Sequence, residues 1–225
     1  MNKYFFFLSF LLILGCSQPI KPDNAVADSK ELHSNSISKN ELYYESRVDS
    51  IIYQNLFEWK DKWVGIAQPV NDEIGKRGLR LQLLKMKPDS SMQLISESSY
   101  GYDSRIFYPS FFEIADRTFL LVNTGERESW GNKVIELKDT SFVELGFIDA
   151  AILEENVKGE EYAYRHENIA KAANLIAQNG NISFQFVGDS LIIFDDGKGG
   201  YDRKLSCDEL TYSISGMQLI MRTKD

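Results

Sequence analysis

The sequence predicts a mainly β fold, and two observations carry that prediction. Short apolar or alternating runs recur from about residue 56 to the C-terminus, bounded by turn pairs such as Lys60-Asp61, Ala115-Asp116 and Gly188-Asp189. Hydrophobic residues make up 43% of the 225 residues, which is enough to bury a core. Because such brief connections cannot make parallel crossovers, we expect antiparallel meander hairpins in a sandwich or barrel. An incomplete propeller-like stack is the alternative.

The predicted strands are short runs of mainly apolar residues between turn signals. They are Leu56–Trp59, Trp63–Gln68, Leu79–Lys85, Gln93–Ser96, Phe111–Ile114, Phe119–Asn123, Lys133–Leu137, Phe142–Phe147, Ile182–Phe186, Leu191–Phe194, Leu210–Ser213 and Gln218–Met221.

One segment departs from the β pattern. Between Tyr162 and Ile176, a stripe that includes His166 recurs at alternating steps of four and three residues, which is typical of an amphipathic helix. Asn179-Gly180 is a suitable C-terminal stop. The spacing therefore predicts one amphipathic helix over about 161–178, packed on a sheet.

Three hairpin-like stretches resemble one another: residues 56–66, 111–121 and 184–194. A four-stranded meander in each repeat is how a β-propeller blade is built. The stretch Ser110–Asp149 resembles, in shape more than in motif, the blades of FG-GAP-like propellers. The other interpretation is a plain meander whose hairpins are alike because hairpins share one pattern.

The N-terminus has the features of an export signal. Lys3 precedes the apolar run Tyr4–Leu14, which is too short for the roughly 30 Å hydrocarbon core of a membrane. It ends in Ile13-Leu14-Gly15-Cys16, which resembles the lipobox of bacterial lipoproteins. That resemblance implies that residues 1–15 are a signal peptide and that Cys16 is lipidated after cleavage. Ser17, where an Asp would imply retention in the inner membrane, implies the outer membrane.

The next segment is polar and carries no apolar period, so residues 16–40 are expected to be the lipidated cysteine and a flexible tether. Ser38-Lys39-Asn40-Glu41 fits a capping box, which predicts a helix over about 40–52. We expect residues 41–225 to form a single mainly β globular domain. The periplasmic face of the outer membrane is its expected location.

The charge and the rare residue types exclude several classes of protein. A net charge of -8 argues against nucleic acid, whose phosphates require a basic surface. Two cysteines and two histidines are too few for zinc fingers, iron–sulfur sites or a disulfide scaffold. We interpret His166 as a packed residue at the rim of the core and Cys207 as a small core residue.

Residues 195–202 are the candidate metal site. Asp195, Asp196 and Asp202 surround glycines, and their carboxylates could serve as ligands for calcium, which takes six to eight oxygens. Aspartate and glycine are also the usual residues of turns, so a hairpin connection is the alternative. No other cofactor is expected.

An aromatic cluster is the candidate binding patch. Tyr100, Tyr102, Arg105 and Tyr108 lie close together in a predicted loop, and Tyr and Arg are enriched among the anchors of interfaces. The alternative is that these rings fill and cover the core.

No catalytic motif accompanies these features, so an enzyme is not favoured. We expect a lipid-anchored envelope protein whose β domain is a non-catalytic binding module for a protein, a glycan or a small ligand. The alternatives are a carboxylate-dependent hydrolase and an accessory subunit of an envelope complex.

Overall fold

The computed structural model describes residues 31–48, 50–71, 77–100, 106–124, 131–155, 164–193 and 203–224. Antiparallel strands dominate these residues, which confirms the prediction of a mainly β fold. The strands in chain order are β1 Leu32–Ser34, β2 Glu41–Val48, β3 Ile51–Trp59, β4 Lys62–Pro69, β5 Arg80–Met86, β6 Met92–Glu97, β7 Tyr108–Ile114, β8 Arg117–Asn123, β9 Asn132–Lys138, β10 Ser141–Ile148, β11 Ala150–Glu155, β12 Tyr164–Asn168, β13 Ala173–Gln178, β14 Asn181–Phe186, β15 Ser190–Ile193, β16 Arg203–Ser206, β17 Leu210–Ser215 and β18 Gln218–Thr223.

Three of the sheets are stacked, with strand orders β2-β3-β4-β5-β6, β7-β8-β9-β10 and β1-β13-β14-β17-β18. The second of these, the middle sheet, is buried on both faces. Phe119 and Leu121 of β8 join the cluster that contains Phe184, whereas Leu120 and Val122 join the cluster that contains Phe57. Since successive side chains of a strand point to opposite faces, β8 lies between two cores.

A fourth sheet, of order β12-β11-β15-β16, extends this body. The chain passes from β14 into β15, and from β16 through a 3-10 turn at Cys207–Glu209 into β17, so it changes sheet at both points. Leu191 and Leu205 of this sheet share the core of Phe184. None of the sheets closes into a barrel among the described strands.

Each predicted strand overlaps an observed one, but the third hairpin-like repeat is not a hairpin. Residues 56–66 and 111–121 fall on the paired strands β3–β4 and β7–β8. Residues 184–193 fall on β14, β15 and the connection between them, and these two strands lie in different sheets; residue 194 lies outside the described residues. The three stretches are therefore alike because each has alternating apolar residues and a turn residue. This likeness does not show that the two strands of each stretch pair with each other.

The predicted amphipathic helix is wrong. Residues 164–178 form β12, a 3-10 turn at Ile169–Lys171 and β13, while 161–163 lie outside the described residues. Asn179 and Gly180 have φ of 52° and 76° and connect the opposed residues Gln178 and Asn181. Positive φ at both central residues defines the two-residue turn that Asn-Gly favours in hairpins. The pair closes a β13–β14 hairpin and does not end a helix.

The N-terminal end of the described chain is also extended. The helix predicted over 40–52 is replaced by the β2–β3 hairpin. Residues 31–40, which the composition assigns to the tether, are attached to the body. β1 pairs with β13, and the amide of Ile37 donates a 2.7 Å hydrogen bond to the carbonyl of Phe111. Residues 31–41, called the strap below, therefore connect the edges of the stacked sheets.

Candidate ligand-binding cleft

A cleft of about 300 Å³ lies between the strap and the edge strand β7 of the middle sheet. It is lined by the strap on one side and by residues of β3 and β7 on the other. The lining residues on which its chemistry depends are Ile37, Lys39, Glu41, Phe57, Tyr108 and Phe111. Because the strap forms one wall, the cleft exists only while the strap is attached.

Aromatic rings form the base of the cleft. Phe57 and Phe111 are each 2% exposed, and their ring centroids are 5.5 Å apart. Tyr108 packs edge-on against Phe57 with centroids 5.3 Å apart, but it is 40% exposed. The two phenylalanines therefore fix the position of a tyrosine ring that faces solvent in the cleft.

Glu41 provides a carboxylate beside that ring. The Tyr108 hydroxyl donates a 2.8 Å hydrogen bond to Oε2 of Glu41, and the Asn55 side-chain amide donates to Oε1. Burial, then this hydrogen bond and then the charge of Glu41, raise the pKa of Tyr108 to about 12. The tyrosine is therefore a neutral donor at physiological pH, and the carboxylate is held by two neutral groups.

Lys39 supplies a cation on the strap. Its ammonium lies 5.8 Å from the centroid of the Phe111 ring and pairs with Glu113 of β7. The Lys39 side chain is 16% exposed and that of Glu113 is 42% exposed, so the lysine is largely covered while its partner is open to water. The cleft thus combines an aromatic base, a compensated lysine and a carboxylate bound to neutral donors.

The sequence-predicted binding residues are only partly described. Tyr108 is in the cleft. Tyr100 has a different partner, since the guanidinium of Arg80 lies 5.2 Å from the centroid of its ring. Tyr102 and Arg105 lie outside the described residues.

The predicted metal ligands Asp195, Asp196 and Asp202 also lie outside the described residues. Within the part of the chain that is described, no three His, Cys, Asp or Glu side chains come together as a metal site.

The structure places Cys207 in the core and His166 on a strand. Cys207 is 3% exposed, and its thiol pKa is raised by burial and then by the charges of Asp189 and Asp208. His166 lies on β12, where its backbone is opposite Leu153 of β11.

Sequence reasoning missed Lys39, Glu41 and Phe57 as site residues. The strap is polar and has no apolar period, so its composition indicates a tether. Its local signal is Ile37, an isolated apolar residue within the polar segment 35–40. Which strand edge it would contact depends on the tertiary fold.

Comparison of the chain with protein-family models, with curated proteins and with solved structures gives no match. Within the described ranges, no helix has both the length and the apolar character needed to cross a membrane.

Proposed function

We propose that the protein is a lipid-anchored envelope protein on the periplasmic face of the outer membrane. Its β body would act as a non-catalytic binding module, with the cleft as its binding site. The lipobox-like Ile13-Leu14-Gly15-Cys16 supports the anchor. The observation that carries the binding role is the half-exposed Tyr108 ring, fixed beside the Glu41 carboxylate in a preformed cleft. Pockets with an apolar lining and few polar groups are typical of ligand sites.

The cleft favours binding over carboxylate-dependent hydrolysis. Hydrolysis of a glycoside by the usual route needs two carboxyl groups that flank one bond. Glu41 is the sole carboxylate among the described residues that line this cleft. Both of its oxygens accept hydrogen bonds from neutral donors, which hold it in place as a recognition group.

The proposed anchor limits how far the cleft lies from the membrane. Residues 17–30 separate Cys16 from the strap. A fully extended segment of that length spans at most about 50 Å. The binding site is thus expected within reach of the membrane surface and of its envelope neighbours.

The anchor is tested by labelling cells with a fatty-acid analogue. We expect label on the wild type and on Cys207→Ala, and none on Cys16→Ala. The Cys207 variant is the matched control because it removes the other cysteine of the chain. Label that persists on Cys16→Ala would contradict the anchor.

The binding role is tested on the full-length lipoprotein in a non-ionic detergent. Calorimetry against cationic, neutral and anionic small molecules and short peptides should find one class that binds. That binding should be lost in Tyr108→Ala and kept in Tyr100→Ala. The two tyrosines make a matched pair because each is 40% exposed. If no molecule of the panel binds, or if the two variants bind equally well, the cleft is not the binding site.

A further inference from the structure

We propose that the cleft recognises an organic cation, specifically an ammonium group carried on a small polar molecule or side chain. This inference rests on the binding role proposed above and names the class of ligand. Glu41 would be the counter-ion, and the Tyr108 ring would contact the cation and the carbon atoms next to it.

The first argument is the state of Glu41. Its carboxylate accepts hydrogen bonds from Asn55 and Tyr108, and both donors are neutral. Among the side chains that the structure describes, no lysine or arginine forms an ion pair with it. Two neutral donors orient the carboxylate but leave its charge uncompensated. Each oxygen also keeps a lone pair for a further donor.

The second argument is that the fold already places an ammonium in this cleft. The Lys39 ammonium lies 5.8 Å from the Phe111 ring centroid and pairs with Glu113. The face of an aromatic ring within about 6 Å attracts an ammonium, and the carboxylate is its counter-ion. Tyr108 and Glu41 repeat that combination, with a ring that is exposed and a carboxylate without a described cation. The second combination is therefore suited to a cation from outside the chain.

The third argument is charge. Lys39 and Glu41 are the charged residues of the described lining. Lys39 pairs with Glu113, which lies outside that lining, so Glu41 is the charge without an ionic partner among the described side chains. The whole chain carries a formal charge of -8. A cation is attracted by both fields, whereas an anion is repelled by both. The tyrosine ring strengthens this preference for a cation, because the face of an aromatic ring carries a partial negative charge.

The size of the cleft limits the size of the molecule or side chain that carries the ammonium group. A volume of about 300 Å³ is at the lower end of the range for ligand pockets. It suits one lysine side chain or one amino sugar, and it does not suit a folded domain. The shared chemistry of these two sources is a primary ammonium on a carbon stem or ring.

The test uses two pairs of probes that differ in charge. One pair is N-acetyl-lysine amide and its Nε-acetylated form, and the other is glucosamine and N-acetylglucosamine. Calorimetry on the full-length lipoprotein should show that at least one amine binds at least fivefold more tightly than its acetylated partner. The preference for the amine should shrink as salt rises from 20 to 300 mM, because the ion pair between the ammonium and Glu41 would lie close to solvent and be screened. The pair that shows the preference identifies the source of the ammonium.

Glu41→Gln removes the charge and keeps one acceptor oxygen, which can still accept from Asn55, while its amide can donate to the Tyr108 hydroxyl. We expect it to lose at least fivefold in affinity for the amine and to bind the acetylated probe unchanged. Glu144→Gln is the control, since this carboxylate lies on β10 at the opposite edge of the middle sheet. Acetylated probes that bind as tightly as amines, or a Glu41→Gln that keeps the preference, would overturn the inference.

The outcomes separate this inference from the binding role. A neutral or anionic ligand whose binding needs Tyr108 but not the Glu41 charge would contradict the cationic ligand class and would leave the proposed binding role in place. Absence of any Tyr108-dependent ligand would overturn both.

Discussion

The Tyr108 hydroxyl donates to Oε2 of Glu41, a residue 67 positions earlier in the chain. The bond joins the strap to the edge of the middle sheet, and it orients the carboxylate in the cleft. One contact therefore contributes both to the attachment of the strap and to the geometry of the proposed site. The two contributions can be measured separately, because attachment changes stability and geometry changes affinity.

Removing that bond should lower stability slightly. Tyr108→Phe keeps the ring against Phe57 but deletes the donor, so we expect the free energy of unfolding to fall by about 1 kcal/mol. Urea denaturation of the full-length lipoprotein in a non-ionic detergent measures the loss. Tyr100→Phe is the matched control and should change stability by less than about 0.5 kcal/mol. Equal losses of unfolding free energy in the two variants would show that the hydrogen bond to Glu41 does not stabilise the fold.

The strap should detach when the amide of Ile37 is removed. Ile37→Pro deletes the N–H that donates to Phe111, whereas Ile37→Ala shortens the side chain and keeps the donor. Hydrogen exchange followed by mass spectrometry should show faster exchange of residues 31–40 in the proline variant than in the alanine variant. Ligand affinity should fall in the same order, because the strap is one wall of the cleft. Equal protection in both variants would mean that this bond does not hold the strap.

Much of the fold could be predicted from local pattern, and the errors have physical causes. Strands between turn pairs were found because alternation and turns are local. The helix prediction over 161–178 rests on a stripe at steps of four and three residues. In β13 the neighbours Leu175 and Ile176 are both apolar and both buried, so this strand lacks the period of two that would have indicated it. Asn179-Gly180 suits a hairpin as well as a helix end, and the partner strand decided between them.

The cleft could be predicted only in part. Tyr108 was found because aromatic residues cluster in its neighbourhood of the sequence. Glu41 and Phe57 were missed because their approach to Tyr108 depends on how the strap crosses the sheet edges. Local composition contains no information about that crossing.

Two glycines should respond differently to alanine. Gly65 lacks space, because a Cβ there would lie 2.9 Å from Leu56 Cδ2 and 3.0 Å from Tyr53 Cδ1. Both of those side chains are buried, so Gly65→Ala should cost about 1–3 kcal/mol by overpacking. Gly180 has open space but a φ of +76°, so Gly180→Ala should cost about 1 kcal/mol through the backbone alone.

A second substitution at each site distinguishes the two causes. Gly180→Asn should cost less than Gly180→Ala, because asparagine tolerates positive φ. At Gly65, asparagine should cost more than alanine because it is larger. Chemical denaturation measures all four variants. The same order of stabilities at both sites would contradict the assignment of one cost to packing and the other to φ.

Alkaline pH should destabilise the protein through Tyr212. This residue is 3% exposed, and burial raises its pKa to about 12, with opposing smaller effects from the backbone hydrogen bond and the charge of Asp149. An unfolded tyrosine titrates near 10. The neutral form is therefore favoured in the folded state. Its contribution to stability is complete below about pH 10 and is lost as the pH rises through about 12.

The size of this effect is roughly 2–3 kcal/mol, since each unit of pKa corresponds to about 1.4 kcal/mol. Tyr212→Phe keeps the ring that packs edge-on against Phe186 but cannot ionise. We expect its free energy of unfolding to fall less steeply than that of the wild type between pH 10 and 12. Tyr108→Phe is measured in parallel, because that tyrosine titrates in the same range. All other groups are the same in the wild type and in Tyr212→Phe, so the difference between their slopes isolates this tyrosine. Identical slopes for the wild type and Tyr212→Phe would mean that Tyr212 has the same pKa in the folded and the unfolded chain, and would contradict the raised pKa.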